Sequence, residues 1–287
     1  MRAIASIFLV LTLFLIGDCS SFPEYTLSEQ SPPINAKRKA RLLSGFFGLD
    51  NAIPIQAMGI WSEAPGKDGL PLVISHEIDP LTLDSRDFQI TTKQNQILSA
   101  SFAMFRPAME AFELRTILLL GEFGNYPDNE PVEVKIIGDL FTRDGQNLKG
   151  QKIKVTPLSE GPFLVYSEYF RFGSGYPYHA NLRGKDCPLS ETAMIVRAVW
   201  SGGVRASDGQ ELGERELSKF KVTFIENGKN HLVSPFKLAD LDDNDNNIDL
   251  CLSQKGIPIS IEVEENTAID PRGDKNPKTR VNIESRW

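Results

Sequence analysis

Apolar residues in this chain gather in short runs rich in β-branched and aromatic side chains, with clusters of Gly, Pro, Asn and Asp between them. The runs cover residues 70–75, 88–92, 115–120, 132–137, 163–169, 194–200, 220–225, 248–252 and 257–263. Within residues 88–92, Phe88 and Ile90 alternate with Gln89 and Thr91, the period of a half-buried strand. Short strands at regular spacing, punctuated by turn residues, predict a β-sandwich or barrel. Helical periodicity is nearly absent, and residues 212–219, the one helix-like stretch of note, are few and charged. The fold class expected is all-β.

The amino terminus follows a different pattern. Arg2 is the only charge before Asp18, and residues 3–16 are apolar except for Ser6 and Thr12. A positive start followed by a short apolar run is the pattern of a secretory signal. The run falls short of the about 20 residues that span a bilayer. Cys19 and Ser21 are small and two apart, so cleavage after Ser21 fits, giving a signal peptide over residues 1–21. An alternative is a lipoprotein acylated at Cys19, since Ile16-Gly17-Asp18-Cys19 is similar to a lipobox, with Asp18 departing from its small-residue position. That anchor would be the chain's one route to a membrane. Residues 22–43 are rich in Pro, Ser and charge, with Lys37, Arg38, Lys39 and Arg41 close together. They read as a disordered linker.

Composition narrows the options. The chain has 287 residues and a net charge of −7. An acidic protein without a basic, aromatic-interleaved stripe is a poor binder of nucleic-acid phosphates. Past the signal two cysteines remain, Cys187 and Cys251, and in an exported protein such a pair is expected to form a disulfide.

The two halves follow one plan. Strand-like residues 72–75 and 87–91 of the first half correspond to 196–201 and 219–223 of the second, and Val132–Ile136 corresponds to Ile259–Val263. An Asp/Gly/Asn turn follows each late strand, at 143–147 and at 270–276. A diverged duplication explains this order, and the boundaries expected are 44–158 and 159–287.

Residues 73–92, VISHEIDPLTLDSRDFQITT, resemble the bacterial Ig-like domains of S-layer and other cell-surface proteins. Those domains have an apolar strand ending in Ser, an acidic segment, D-P-x-T-L, and then a strand of the type D-F-x-V-T. Residues 268–277 are similar to their closing Asp-x-x-Gly-Asn turn. The resemblance covers the first half well and the second poorly, since a longer charged insertion at 205–217 replaces D-P-x-T-L. It implies two tandem Ig-like sandwiches serving as spacer, adhesion or ligand-binding modules. The D-P-x-T-L segment also makes physical sense as a strand exit. Pro80 cannot donate to a ladder, while Asp79 and Thr82 can bond nearby backbone.

Candidate chemistry is sparse. Asp240, Asp242, Asn244 and Asp245 resemble the start of a calcium loop, in which hard oxygens converge on the cation. Asp245 stands where an EF-hand has its turn Gly, and Cys251 where it has its bidentate Glu, so the expectation is a looser calcium site at a sandwich end. Phe172, Tyr176 and Tyr178 lie on a Gly/Pro-rich loop that could stack on a sugar or a protein partner. His76-Glu77 follows a strand end, where His76 reads as a surface or turn residue. His76, His179 and His231 show no metalloenzyme spacing, and there is no G-x-S-x-G elbow. The reading is an exported surface, periplasmic or secreted protein that binds, adheres or builds structure without catalysis, with a cell-surface protein or polysaccharide as partner. The alternative is a secreted hydrolase whose carboxylates or His76 act in an interdomain cleft.

Overall fold

The computed structural model describes residues 38–110, 112–171, 186–226, 228–239 and 245–286. The signal, the lipidation residue Cys19 and most of the linker lie outside these residues. The strands are β1 (Leu42–Phe46), β2 (Asp68–Ile74), β3 (Phe88–Thr92), β4 (Ile97–Ser99), β5 (Phe102–Met104), β6 (Thr116–Gly121), β7 (Pro131–Ile136) and β8 (Lys152–Thr156) in the first half. The second half continues with β9 (Leu164–Arg171), β10 (Met194–Trp200), β11 (Phe220–Glu226), β12 (Lys229–Val233), β13 (Lys237–Ala239), β14 (Asn247–Leu252), β15 (Ile257–Val263), β16 (Thr279–Asn282) and β17 (Glu284–Ser285). Helical structure among the described residues consists of single 3-10 turns; one of them, Leu217–Lys219, lies within the helix-like stretch. The chain is all-β.

The strand order of the first half recurs in the second. The first half forms one sheet in the order β4-β3-β7-β8-β1-β2-β6-β5. Its end strands β4 and β5 are joined by only Ala100 and Ser101, so the sheet folds back on itself and encloses a core. The second half repeats the order in two sheets, β12-β11-β15-β16 and β13-β14-β10-β9-β17. Each antiparallel pair of the first half has its counterpart, for example β3–β7 in β11–β15 and β2–β6 in β10–β14. The one parallel pair, β1–β8, recurs as β9–β17.

Alternation supplies both cores. Leu72, Ile74, Phe88, Ile90, Ile117 and Val134 are fully buried in the first. Val196, Trp200, Phe220, Val222, Leu250 and Ile261 are fully buried in the second. Each such side chain contributes about 1.5–3 kcal/mol by leaving water.

The turns behave as their residue types dictate. Asp79 accepts from Leu81 N at 3.1 Å, Thr82 Oγ1 donates to Asp79 O at 2.8 Å, and Phe141 N donates to Thr82 Oγ1 at 3.1 Å. In the second half, Asp270 Oδ1 accepts from Arg272 N and Asp274 N, both at 2.9 Å, closing the turn around Gly273 at φ 93°.

Two sequence expectations change here. Leu42 already belongs to β1, inside the stretch assigned to the linker, and the residues before it are tied down. Gln146 Oε1 accepts from Ala40 N at 2.8 Å, and Gln151 Nε2 donates to Ala40 O at 2.8 Å. Side-chain amides from a distant turn supply these bonds, and local composition carries no sign of them. His76 is buried at 2% exposure, with Nδ1 2.8 Å from Ser75 Oγ. Burial lowers its pKa, against the pull of the Asp144 carboxylate.

Candidate binding groove and the junction beneath it

One face of the sheet containing β9, β10 and β14 packs into the second core. The other face carries a row of charge. Arg197 on β10 stands in register with Glu168 on β9 and Asp249 on β14. The next row is Phe170, Ile195 and Cys251. Such a face would normally meet water, yet Glu168, Arg197 and Asp249 are all buried. Residues of the first half cover it, and they bring counter-charges.

Glu168 Oε1 accepts from Arg115 Nη2 at 2.7 Å and from Arg286 Nη1 at 2.9 Å. Arg286 also pairs with Glu77 of the first half. Arg197 holds Asp249 with two bonds of 2.8 and 3.0 Å and reaches Glu113 at 2.8 Å. The guanidinium planes lie over aromatic rings, Arg115 on Tyr166 at 4.4 Å and Arg286 on Phe112 at 3.9 Å. Phe112 stacks on Phe170 at 5.4 Å and takes φ 74°, a backbone state rare for a bulky residue. Burying this many charges is expensive, and the arginine–carboxylate bonds offset that desolvation only in this one arrangement. The network therefore ties the second half of the chain to the first. Burial alone would raise the pKa of Glu168, but Arg115, Arg286 and Arg197 together hold it below its ordinary value.

Cys187 and Cys251 form the expected disulfide, with a sequence separation of 64. It lies beside the charge row, among Phe112, Phe170 and Ile195.

Next to the junction a groove opens between the halves. Its deep end, about 150 Å³, is lined by apolar side chains including Phe46, Leu49, Phe105 and Leu118. Gly202 forms part of its wall, and a Cβ there would approach Phe46 to 3.0 Å, so glycine permits the close approach of the second half. The groove continues into a shallower, mostly apolar trough of about 580 Å³ that shares Leu49, Pro107, Leu118 and Pro271 with the deep end. Arg106, Arg205 and Arg272 stand on its rim, all exposed. The turn alongside, Ile55–Gly59, and the residue after it expose Ile55, Met58 and Ile60 by 61, 50 and 47%. The one carboxylate in the lining among the described residues, Asp245, accepts from Asn247 N at 2.7 Å and Asn247 Nδ2 at 2.8 Å. Asn246 ties the floor together, donating to Thr116 Oγ1 at 3.1 Å and Trp200 O at 2.7 Å.

Of the residues singled out in the sequence, Phe172, Tyr176 and Tyr178 lie outside the described residues, as do Asp240, Asp242 and Asn244. Asp245 is buried and engaged by Asn247. Among the described residues no three metal-ligating side chains are grouped to hold an ion. Sequence reasoning placed a cleft between the halves but missed its apolar lining and the charge network, whose members come from segments far apart in the chain. The signal for the network was present: Glu168 and Arg197 are charges inside runs otherwise apolar enough to be central strands.

Fold and junction define an all-β, disulfide-bonded protein with an apolar groove between its two halves. No known family model matches the chain, and no curated protein does. Solved structures give a weak structural link. The N-terminal part of the bacterial S-layer protein SbsC overlaps 87% of this chain and 45% of its own length, at 13% identity and a TM-score of 0.29. The S-layer protein rSbsC(31-844) overlaps 86% of this chain and 26% of its own, at 12% identity and 0.30. A third structure, domains 1-6 of surface layer protein SbsC, overlaps 87% of this chain and 41% of its own, at 10% identity and 0.29. This chain thus spans less than half the length of each.

Proposed function

We propose that the protein works outside the cytoplasm as a binding module, performing no chemistry on what it binds. In this reading two tandem Ig-like sandwiches, 44–158 and 159–287, act as a rigid holder for the groove, whose partner is a cell-surface protein or polysaccharide. The observation that carries the reading is the groove itself. Its walls come from both halves and its apolar side chains mainly from the first, and the buried carboxylates beside it are bonded to arginines instead of facing the opening. A fixed apolar cleft suits recognition. The disulfide supports an oxidising compartment, in keeping with the secretory pattern of residues 1–21.

Labelled full-length protein added to washed cells of the source organism tests the reading. Wild type is expected to bind the cells. Leu118→Arg, which puts a charge in the groove, is expected to lose that binding while melting at the same temperature. Equal retention of both proteins, or of neither, would contradict the groove as the binding face.

A further inference from the structure

One wall of the groove is held in place by a buried acid. Residues 49–60 form that wall, where Leu49, Ala52, Ile53, Pro54, Ala57 and Ile60 line the trough. Leu49 exchanges backbone bonds with Gly69 of β2, its N–H donating at 3.2 Å and its carbonyl accepting at 2.9 Å, which fixes the start of the wall. Further along, Ala52 N and Ile53 N both donate to Lys67 O, at 3.1 and 3.0 Å, and Ile53 shares a small apolar cluster with Ala64 and Leu120. Two exposed bonds reach the segment after β6: Asp50 Oδ2 accepts from Tyr126 N at 2.9 Å, and Asn51 Nδ2 donates to Asn125 Oδ1 at 3.0 Å. The buried bond is made by Asp68. Its Oδ1 accepts from Asn51 N at 2.7 Å and its Oδ2 from Phe123 N at 2.6 Å, so one carboxyl group spans from the wall to the exit of β6.

The wall is also what keeps Asp68 from water, at 1% exposure. Burial is the main force raising its pKa, Asp50 of the wall and Glu122 after β6 add to it, and the two backbone bonds pull the other way. Lys67, its chain neighbour, is paired with Glu122 at 2.5 Å and is also drawn on by Glu63. An ionised carboxylate in such a site gains by reaching water. Swinging residues 50–60 outward is the movement that admits water to it.

From this geometry we infer that Asp68 is a pH-sensitive catch on the groove: protonated, it holds residues 50–60 against the body, and ionised, it favours their release, which opens the trough along one side. Once released, Asp68 regains the pKa of a solvated carboxylate. Release therefore becomes easier as pH rises from that ordinary value through the raised one, and levels off above it. The inference concerns the regulation of the groove and rests on the binding reading above.

Hydrogen exchange of the full-length protein, corrected for the intrinsic pH dependence of amide exchange, tests it. Between about pH 5 and about pH 7.5, opening of the Asn51, Ala52 and Ile53 amides should become about tenfold more frequent. That opening should be insensitive to low concentrations of denaturant, the mark of a local release that exposes little surface. In Asp68→Asn the two pH values should give equal opening. The carboxyl carbon of Asp68, followed by NMR in the wild type, should titrate over the same range, a check that stands even if the variant fails to fold. Opening that ignores pH in the wild type, or still follows it in Asp68→Asn, overturns the inference. So does an Asp68 carboxyl that titrates as a solvated one, or wall amides with the same denaturant dependence as those of β10, which would be unfolding of the whole. None of these measurements involves a ligand, so their failure is distinct from failure of the cell-binding test of Leu118→Arg.

Discussion

Two buried carboxylates give the protein opposite responses to pH. Asp68, at the start of β2, accepts from Asn51 N at 2.7 Å and Phe123 N at 2.6 Å. Burial outweighs these bonds and pushes its pKa up to about 6, from an ordinary 3.8. An acid whose pKa rises on folding stabilises the fold when protonated, so its contribution is complete below the ordinary value and is lost as pH rises through about 6. Glu168 behaves in the reverse sense. Its pKa is held below 4.5, so its contribution is present above that value and is lost as pH falls through the lower one. Melting temperatures of wild type and Asp68→Asn followed from pH 4 to pH 7 should therefore diverge, wild type losing ground to the variant as pH rises. Parallel curves would mean that Asp68 titrates normally. Glu168→Ala leaves the Arg115 and Arg286 guanidiniums facing each other without their shared anion. Chemical denaturation should show a loss of about 3–5 kcal/mol, and a loss under about 1 kcal/mol would show the network to be solvated.

At the scale of the element, β14 links the two features of the junction, since Asp249 and Cys251 lie on one face of it two residues apart. Reducing the Cys187–Cys251 bond frees a loop whose closure contributes about 4 kcal/mol by chain entropy. Denaturant titration with and without reductant should show that difference, and coincident curves would mean the bridge constrains nothing. The central strands were also the legible ones. Runs such as Phe88–Thr92 and Met194–Trp200 are β-branched and buried, and the sequence pattern marks their ends. Short edge strands such as β4, β5 and β13 carry little alternation and are held by their neighbours. Even β8, Lys152–Thr156, which does alternate, escapes notice because its apolar run is only Ile153 and Val155. The D-P-x-T-L turn was legible for a local reason, because Asp79 and Thr82 bond to atoms a few residues away. The anchoring of Ala40 by Gln146 and Gln151 was not, because it spans more than a hundred residues of chain.

For the whole molecule, the two halves share a strand order and the buried junction joins them. Both halves carry the same strand order, but only the second presents a charged row, and only the first supplies Glu77, Glu113 and Arg115 to meet it. Arg286 lies just after β17, so the chain's last described residue closes the network between the halves. The groove keeps its shape only if that closure holds. Sequence reasoning could place a cleft between two sandwiches. It could not tell that the cleft's carboxylates would be buried and bonded to arginines, because the ion pairs that close the network all join residues more than fifty positions apart. Scanning calorimetry of the full-length protein tests this central claim most directly. If the junction makes one cooperative body, a single transition appears whose calorimetric and van't Hoff enthalpies agree. Two separable transitions, one for each half, would contradict it.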